Sequence, residues 1–429
     1  MEVGLILFGI SIVLFFGFFA EFIFKKTGIP DVLFLILLGL VLGPYGLKYI
    51  SASQLDFIAP LFTTFALLFL LFDGAFSIDL ASFAKGLTKA LKVSLYNIFL
   101  SALIISLIML ALGFNPLISV LTGFILSDIS EAFVIPLLKQ IKIKQETYSV
   151  LTLDSAITDV FCIVFALTVV AIIEANVFNF QSVLSEIVRL FAVAGAIGIA
   201  AGIVWIILVI KVFKEHKFYM TTIAALLLVF FITEFLGGNG AIAALFFGLV
   251  LRNSGQLTSM FAGVMDRKYD ISYKDVSSDS EVSVKRTISQ GFGISVTSKE
   301  EQFFYSQISF FLKTFFFVYI GLLLSFADYR IVLIGIALSV AIMLARHSTL
   351  IITREFEEFD RKLIGSVFGR GLASAAIAQI IIFNNVPGAQ EIVGIAYIVI
   401  PLTIILSSLR VFQLRRKFST QQPNPAAFS

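Results

Sequence analysis

Apolar runs of 15 to 28 residues follow one another along almost the whole chain, each closed by a short stretch of Lys, Glu, Gly, Pro or Asn. Crossing about 30 Å of hydrocarbon at about 1.5 Å per residue takes about 20 residues, and a helix alone satisfies its own backbone there. The pattern predicts thirteen spans, at residues 4–24, 29–44, 56–76, 91–113, 115–139, 147–174, 186–212, 218–236, 238–252, 303–326, 329–353, 361–383 and 390–412. The expected fold class is therefore an all-α integral membrane protein with 13 transmembrane helices. Thirteen divides as six, a linker and six, which gives the second six the opposite sense of insertion. That is the inverted-repeat arrangement of secondary transporters, with the site at mid-membrane between broken helices.

Composition agrees with the pattern. Of 429 residues, 59% are hydrophobic and 14% charged, too little polar surface to cover a soluble globule of this size. The net charge is only +3, so placement matters more than sum. With the N-terminus outside, the inner loops and tail collect nearly all Lys and Arg, and only Lys48, Arg189 and Arg330 fall outside, as the positive-inside rule requires. The expected location is the cell membrane, multi-pass, with a cytoplasmic C-terminus. The first run has neither a basic leader nor a small-residue cleavage site and reads as a retained helix. The single Cys162 excludes an internal disulfide. The expected organisation is a membrane transporter domain over 1–264 and 303–417, a polar Ser-rich cytoplasmic loop at 265–302 and a disordered cytoplasmic tail at 418–429.

Charges inside the spans carry the chemistry, because a carboxylate near the bilayer centre costs about 3 kcal/mol on insertion scales. The fifth span holds Ser127-Asp128-Ile129-Ser130-Glu131, and the corresponding twelfth holds Gly365, Gly369-Arg370-Gly371 and Ser374. Polar and glycine residues at that depth mark places where a helix can unwind. Two such breaks crossing would bring like half-helix ends together, with Asp128 offsetting the N-terminal ends and Arg370 the C-terminal ends. On the sixth span Ser155 and Asp159 share a face, and Asp154 and Thr158 share another, rotated by about 100°. Asp154 and Arg346 lie at equal depth and are expected to pair. Asp159 keeps no obvious fixed counter-ion and is free to exchange a proton for a cation. Hard oxygen donors without His or thiolate suit an alkali cation. Glu131 either lines a water-filled funnel or carries a second proton. His347 could sense pH, His216 reads as solvated, and Gly195, Gly198 and Gly202 suit close helix packing in the linker or a dimer contact.

These residues, in this order and spacing, resemble the monovalent cation:proton antiporters, specifically the sodium/proton exchanger branch that includes the NhaP proteins. The resemblance covers residues 1–415. It rests on Ile29-Pro30 with Gly39, Gly43-Pro44 and Gly46-Leu47, on Phe72-Asp73-Gly74, on Ser127-Asp128, and on Asp154-Ser155 through Thr158-Asp159. Gly238-Asn239-Gly240 to Gly248-Leu249, Leu344-Ala345-Arg346 and Gly369-Arg370-Gly371 complete it. It implies an NhaA-like antiporter fold with two broken crossing helices, and alternating-access exchange of Na⁺ or another alkali cation for H⁺ by a homodimer in membrane lipid. The implied ligands of cation and proton are Asp159, Ser155, Asp128, Ser127, Asp73 and Thr158, with Asp154 and Arg346 as the structural pair. No cofactor, enzymatic activity or nucleic-acid partner is expected. The chain departs from the family pattern at Thr158, where the family has Asn or Asp, at Ile129 and His347, where it has Pro, and at Asp154, where it has Glu. If Asp159 alone changes protonation, the exchange is electroneutral. A potassium efflux channel or K⁺/H⁺ antiporter is the competing reading, and an organic-solute transporter a more distant one.

Overall fold

The computed structural model describes residues 2–48, 59–77, 80–141, 143–175, 180–212, 219–257 and 298–419. Residues 265–297 of the expected 265–302 loop, residues 420–429 of the expected tail and His216 lie outside the described residues. Among the described residues there are helices and no strands. The helices are α1 (Glu2–Thr27), α2 (Asp31–Leu42), α3 (Ala59–Gly74), α4 (Leu80–Ala111), α5 (Pro116–Ile125), α6 (Glu131–Lys139), α7 (Gln145–Ala175) and α8 (Phe180–Lys211). They continue as α9 (Tyr219–Phe235), α10 (Gly240–Arg252), α11 (Lys299–Leu323), α12 (Tyr329–His347), α13 (Glu358–Ile364), α14 (Leu372–Phe383) and α15 (Ala389–Ser419).

Seven of these helices are long and apolar enough to cross a membrane by length and composition, against thirteen expected spans, and six more are apolar but only 10–17 residues long. The shortfall has a local cause in two places. The run 115–139 is not one helix but α5 and α6, and 361–383 is covered by α13 and α14. After the residues outside the described set, α11 begins at Lys299. Ser298 and Glu301 form a capping box there: Glu301 N donates to Ser298 Oγ (3.2 Å) and Ser298 N to Glu301 Oε2 (2.8 Å). At the far end α15 runs to Ser419, through Arg415, Arg416 and Lys417.

Two compact units make up the chain, and each draws on separated stretches of sequence. The first comprises residues 1–70, 81–192 and 307–429. Within it α5 packs on α7, α12 on α15, and α14 on both α7 and α15. Asn115 caps α5 by accepting from Leu117 N (2.9 Å), with Pro116 in the first turn where no N–H is required. Lys313, a further charge inside an apolar span, places Nζ 2.6 Å from Asp31 Oδ2 in the first turn of α2, where the helix dipole also favours a carboxylate.

Residues 71–80 and 193–306 make the second unit. There α9 packs on α10, and α10 packs on the short 3₁₀ turn that follows α3. Asn239 caps α10 through Ile242 N (3.0 Å), and Arg252 Nε donates to Phe76 O (3.0 Å). A Cβ on Gly198 would lie 2.4 Å from Ala243 O, so the glycines of α8 let α10 approach inside the unit.

Candidate functional site

Both interruptions are short and non-helical. Backbone turns end α5 at Ile125, residues 128–130 carry no helical structure, and α6 starts at Glu131. In the twelfth run α13 stops at Ile364, residues 367–371 carry no helical structure, and α14 starts at Leu372. The two stretches meet: Ser130 N donates to Gly369 O at 2.9 Å. The approach needs glycine, since a Cβ on Gly371 would lie 2.3 Å from Ser130 Cβ.

A helix stopped inside a membrane leaves carbonyls or N–H groups that water cannot reach, so each end must find a partner. Arg370 is fully buried and donates Nη1 to Asp128 O and to Ser127 O (3.4 Å), just past the end of α5, and Nη2 to Ser101 Oγ (3.3 Å). The Asp128 side chain serves the start of α14, where Oδ2 accepts from Gly371 N (3.2 Å) and Oδ1 from Ser374 Oγ. Ser374 Oγ also lies 2.5 Å from Ile125 O, the last carbonyl of α5. Neighbouring helices supply the rest. Asn97 Nδ2 donates to Ser127 O (3.4 Å), Arg370 N to Thr403 Oγ1 (3.0 Å), and Phe368 N to Ser407 Oγ (3.2 Å). Asn97, Ser101, Thr403 and Ser407 escaped sequence reasoning. Their signal was present as hydroxyl and amide groups in apolar runs, but nothing along the chain said which backbone group each would meet.

Asp154 and Arg346 are both fully buried, and Arg346 Nη2 lies 2.6 Å from Asp154 Oδ2. Ser94 Oγ donates to the other oxygen of Asp154 (2.8 Å). Arg346 has a second task, because its Nε donates to Ile364 O (2.8 Å), the final carbonyl of α13. One guanidinium therefore holds α7, its own helix α12 and the end of a half-helix together.

Asp159 differs from every other buried charge here. The residue is half-buried and its Oδ1 is sealed from solvent with no hydrogen-bond partner. The charges that act on it are the carboxylates of Asp128 and Glu131, both of its own sign. An unpaired carboxylate in such surroundings is tolerated only when something neutralises it. A proton or a bound cation would do so. Ser155 is buried, and its Oγ donates to Thr152 O (2.9 Å), leaving its lone pairs open. Thr158 Oγ1 accepts from Ile129 N (3.1 Å) and donates to Ser155 O (3.0 Å), so this hydroxyl ties the first interruption to α7 beside Asp159. Ser127 Oγ donates to Phe124 O (2.8 Å). Glu131 opens α6 half-buried, His347 is exposed, and Asp73 lies near the end of α3 in the second unit. Among the described residues no group of three His, Cys, Asp or Glu could hold a metal ion in the manner of a transition-metal site.

Discontinuous helices whose ends converge on buried charges define the class of polytopic membrane proteins built for ion-coupled transport. Residues 10–417 match the family described as sodium/hydrogen exchanger, transmembrane, and the chain belongs to that family. It is similar to the K(+)/H(+) antiporter NhaP of Alkalimonas amylolytica, 26% identical over 253 residues, which are 58% of this chain and 43% of that protein. It is also similar to the K(+)/H(+) antiporter NhaP2 of Shewanella oneidensis, 23% identical over 414 residues, 93% of this chain and 64% of that protein. The chain thus spans less than two thirds of either relative. Among solved structures, the sodium proton antiporter MjNhaP1 of Methanocaldococcus jannaschii superposes with a TM-score of 0.72 at 19% identity, over 96% of this chain and all of that one. That likeness is one of fold.

Proposed function

We propose that this protein exchanges a monovalent alkali cation for H⁺ by alternating access, with Asp159 binding the two in turn. The observation that carries the reading is the sealed, unpartnered Asp159 Oδ1 beside a pair of interrupted helices where Asp128 and Arg370 hold backbone groups and Asp154 and Arg346 hold each other. Ser155 and Ser127 supply further oxygens. Asp128 and Arg370 hold the interruptions, Asp154 and Arg346 fix α7, and Thr158 holds the first interruption in place. We read α5 with α6 as one interrupted crossing and α13 with α14 as another, so that the fifteen helices would give thirteen crossings. On this reading they form inverted repeats, the N-terminus lies outside, and the working unit is a homodimer contributing to pH homeostasis.

One proton per monovalent cation makes the cycle electroneutral. The test is dye-reported pH change in proteoliposomes on addition of NaCl, KCl or LiCl, with and without a clamped potential. Exchange should vanish in Asp159→Asn and should reach the same equilibrium gradients at 0 and about 100 mV, where each net charge moved would shift the balance by about 2.3 kcal/mol. Exchange in the Asn variant would sink the assignment, and a voltage-dependent reversal point would bring in a second acid, Glu131 first. The K(+)/H(+) names of two relatives favour including K⁺ as a substrate of equal standing, and the same assay ranks the ions.

A further inference from the structure

Two sealed oxygens without a partner lie on one line of α7. Asp159 Oδ1 is one, and Thr152 Oγ1 is the other. Thr152 is only 5% exposed. Seven residues at 3.6 per turn bring the two side chains to within about 20° of one azimuth, about 10 Å apart along the axis. A buried threonine in a helix ordinarily returns its hydroxyl to the carbonyl four residues back, as Thr122, Thr168 and Thr233 do in this protein. Thr152 makes no such bond, and an unmade bond at a buried hydroxyl is costly. Between the two oxygens this face of α7 carries only Ser155 and Ala156, a hydroxyl with open lone pairs and a methyl. Towards its start the helix becomes exposed at Gln145 and Glu146.

We propose that Thr152 is a further oxygen ligand of the transported cation, forming a transient site through which a partly hydrated alkali ion passes on its way from the Gln145 end of α7 to Asp159. The inference rests on the reading of Asp159 as the exchange carboxylate. A hydroxyl is a hard, neutral donor that can replace one water of hydration and release the ion again, whereas a second carboxylate would hold it. Ser155 then bridges the step between Thr152 and Asp159.

Thr152→Val keeps the shape and removes the hydroxyl, and Thr152→Ser keeps the hydroxyl and removes a methyl. In proteoliposomes titrated with NaCl or KCl, the Val variant should raise the half-saturating concentration about tenfold, the loss expected for one oxygen contact to a charge, and the Ser variant should stay within about twofold of the parent. Because the hydroxyl makes no bond in the protein, the Val variant should melt in detergent no lower than the parent. An unchanged half-saturation in Thr152→Val overturns the proposal, as does equal impairment of Val and Ser, which would assign the effect to shape. A lower melting temperature for Val overturns it too, by showing a structural bond. Failure of the underlying reading is separate and visible, as exchange that survives Asp159→Asn.

Discussion

Replacing Asp154 by Asn removes the charge that faces Arg346 while keeping size and shape. The guanidinium is fully buried, its Nη2 is 2.6 Å from Asp154 Oδ2, and its Nη1 already lacks a partner. Breaking a buried pair from one side leaves an uncompensated charge, at a cost of about 3–5 kcal/mol. Arg346→Met should lose a similar amount from the stranded carboxylate, reduced by the Ser94 hydroxyl that still donates to it at 2.8 Å. It also frees Ile364 O at the end of α13, and an unsatisfied buried carbonyl adds about 1–3 kcal/mol. The double variant removes both charges and should be more stable than the sum of the single losses by several kcal/mol, because only the stranded carbonyl remains. Melting in detergent, followed by the fluorescence of the single Trp205, compares the four proteins under one heating rate. Strictly additive losses, or an Asp154→Asn protein that melts with the parent, would refute the argument that this pair anchors α7 and α13.

Two further substitutions probe the interruptions themselves. Gly371→Ala would place a methyl 2.3 Å from Ser130 Cβ, where the two interruptions meet, so it should lower the melting temperature and abolish exchange; a parent-like melt would show that the crossing has slack. Thr158→Val strips the acceptor from the buried Ile129 N–H and should cost about 1–3 kcal/mol, and Thr158→Ser should restore most of it. If Val and Ser melt alike, the hydroxyl does not hold the interruption.

Much of this protein is legible along the chain because the bilayer punishes charge and unpaired backbone so heavily. Apolar runs announced helices, and the few charges inside them, Asp128, Asp154, Asp159, Arg346 and Arg370, stood out as residues that needed a reason. The places where helices stop, at Ser127 to Ser130 and Gly369 to Gly371, were likewise marked by polar and glycine residues at membrane depth. What the chain could not announce was who meets whom. Lys313 finds Asp31 across 282 positions, Arg346 divides itself between Asp154 and Ile364 O, and Thr158 turns to the Ile129 amide. These are decided by the packing of helices far apart in sequence. A side chain's cost of burial is local, and its relief depends on which neighbour the fold brings within 3 Å. The same distinction sets Asp159 apart: the sequence places it in the membrane, and only the tertiary structure leaves one of its oxygens sealed with nothing to bind.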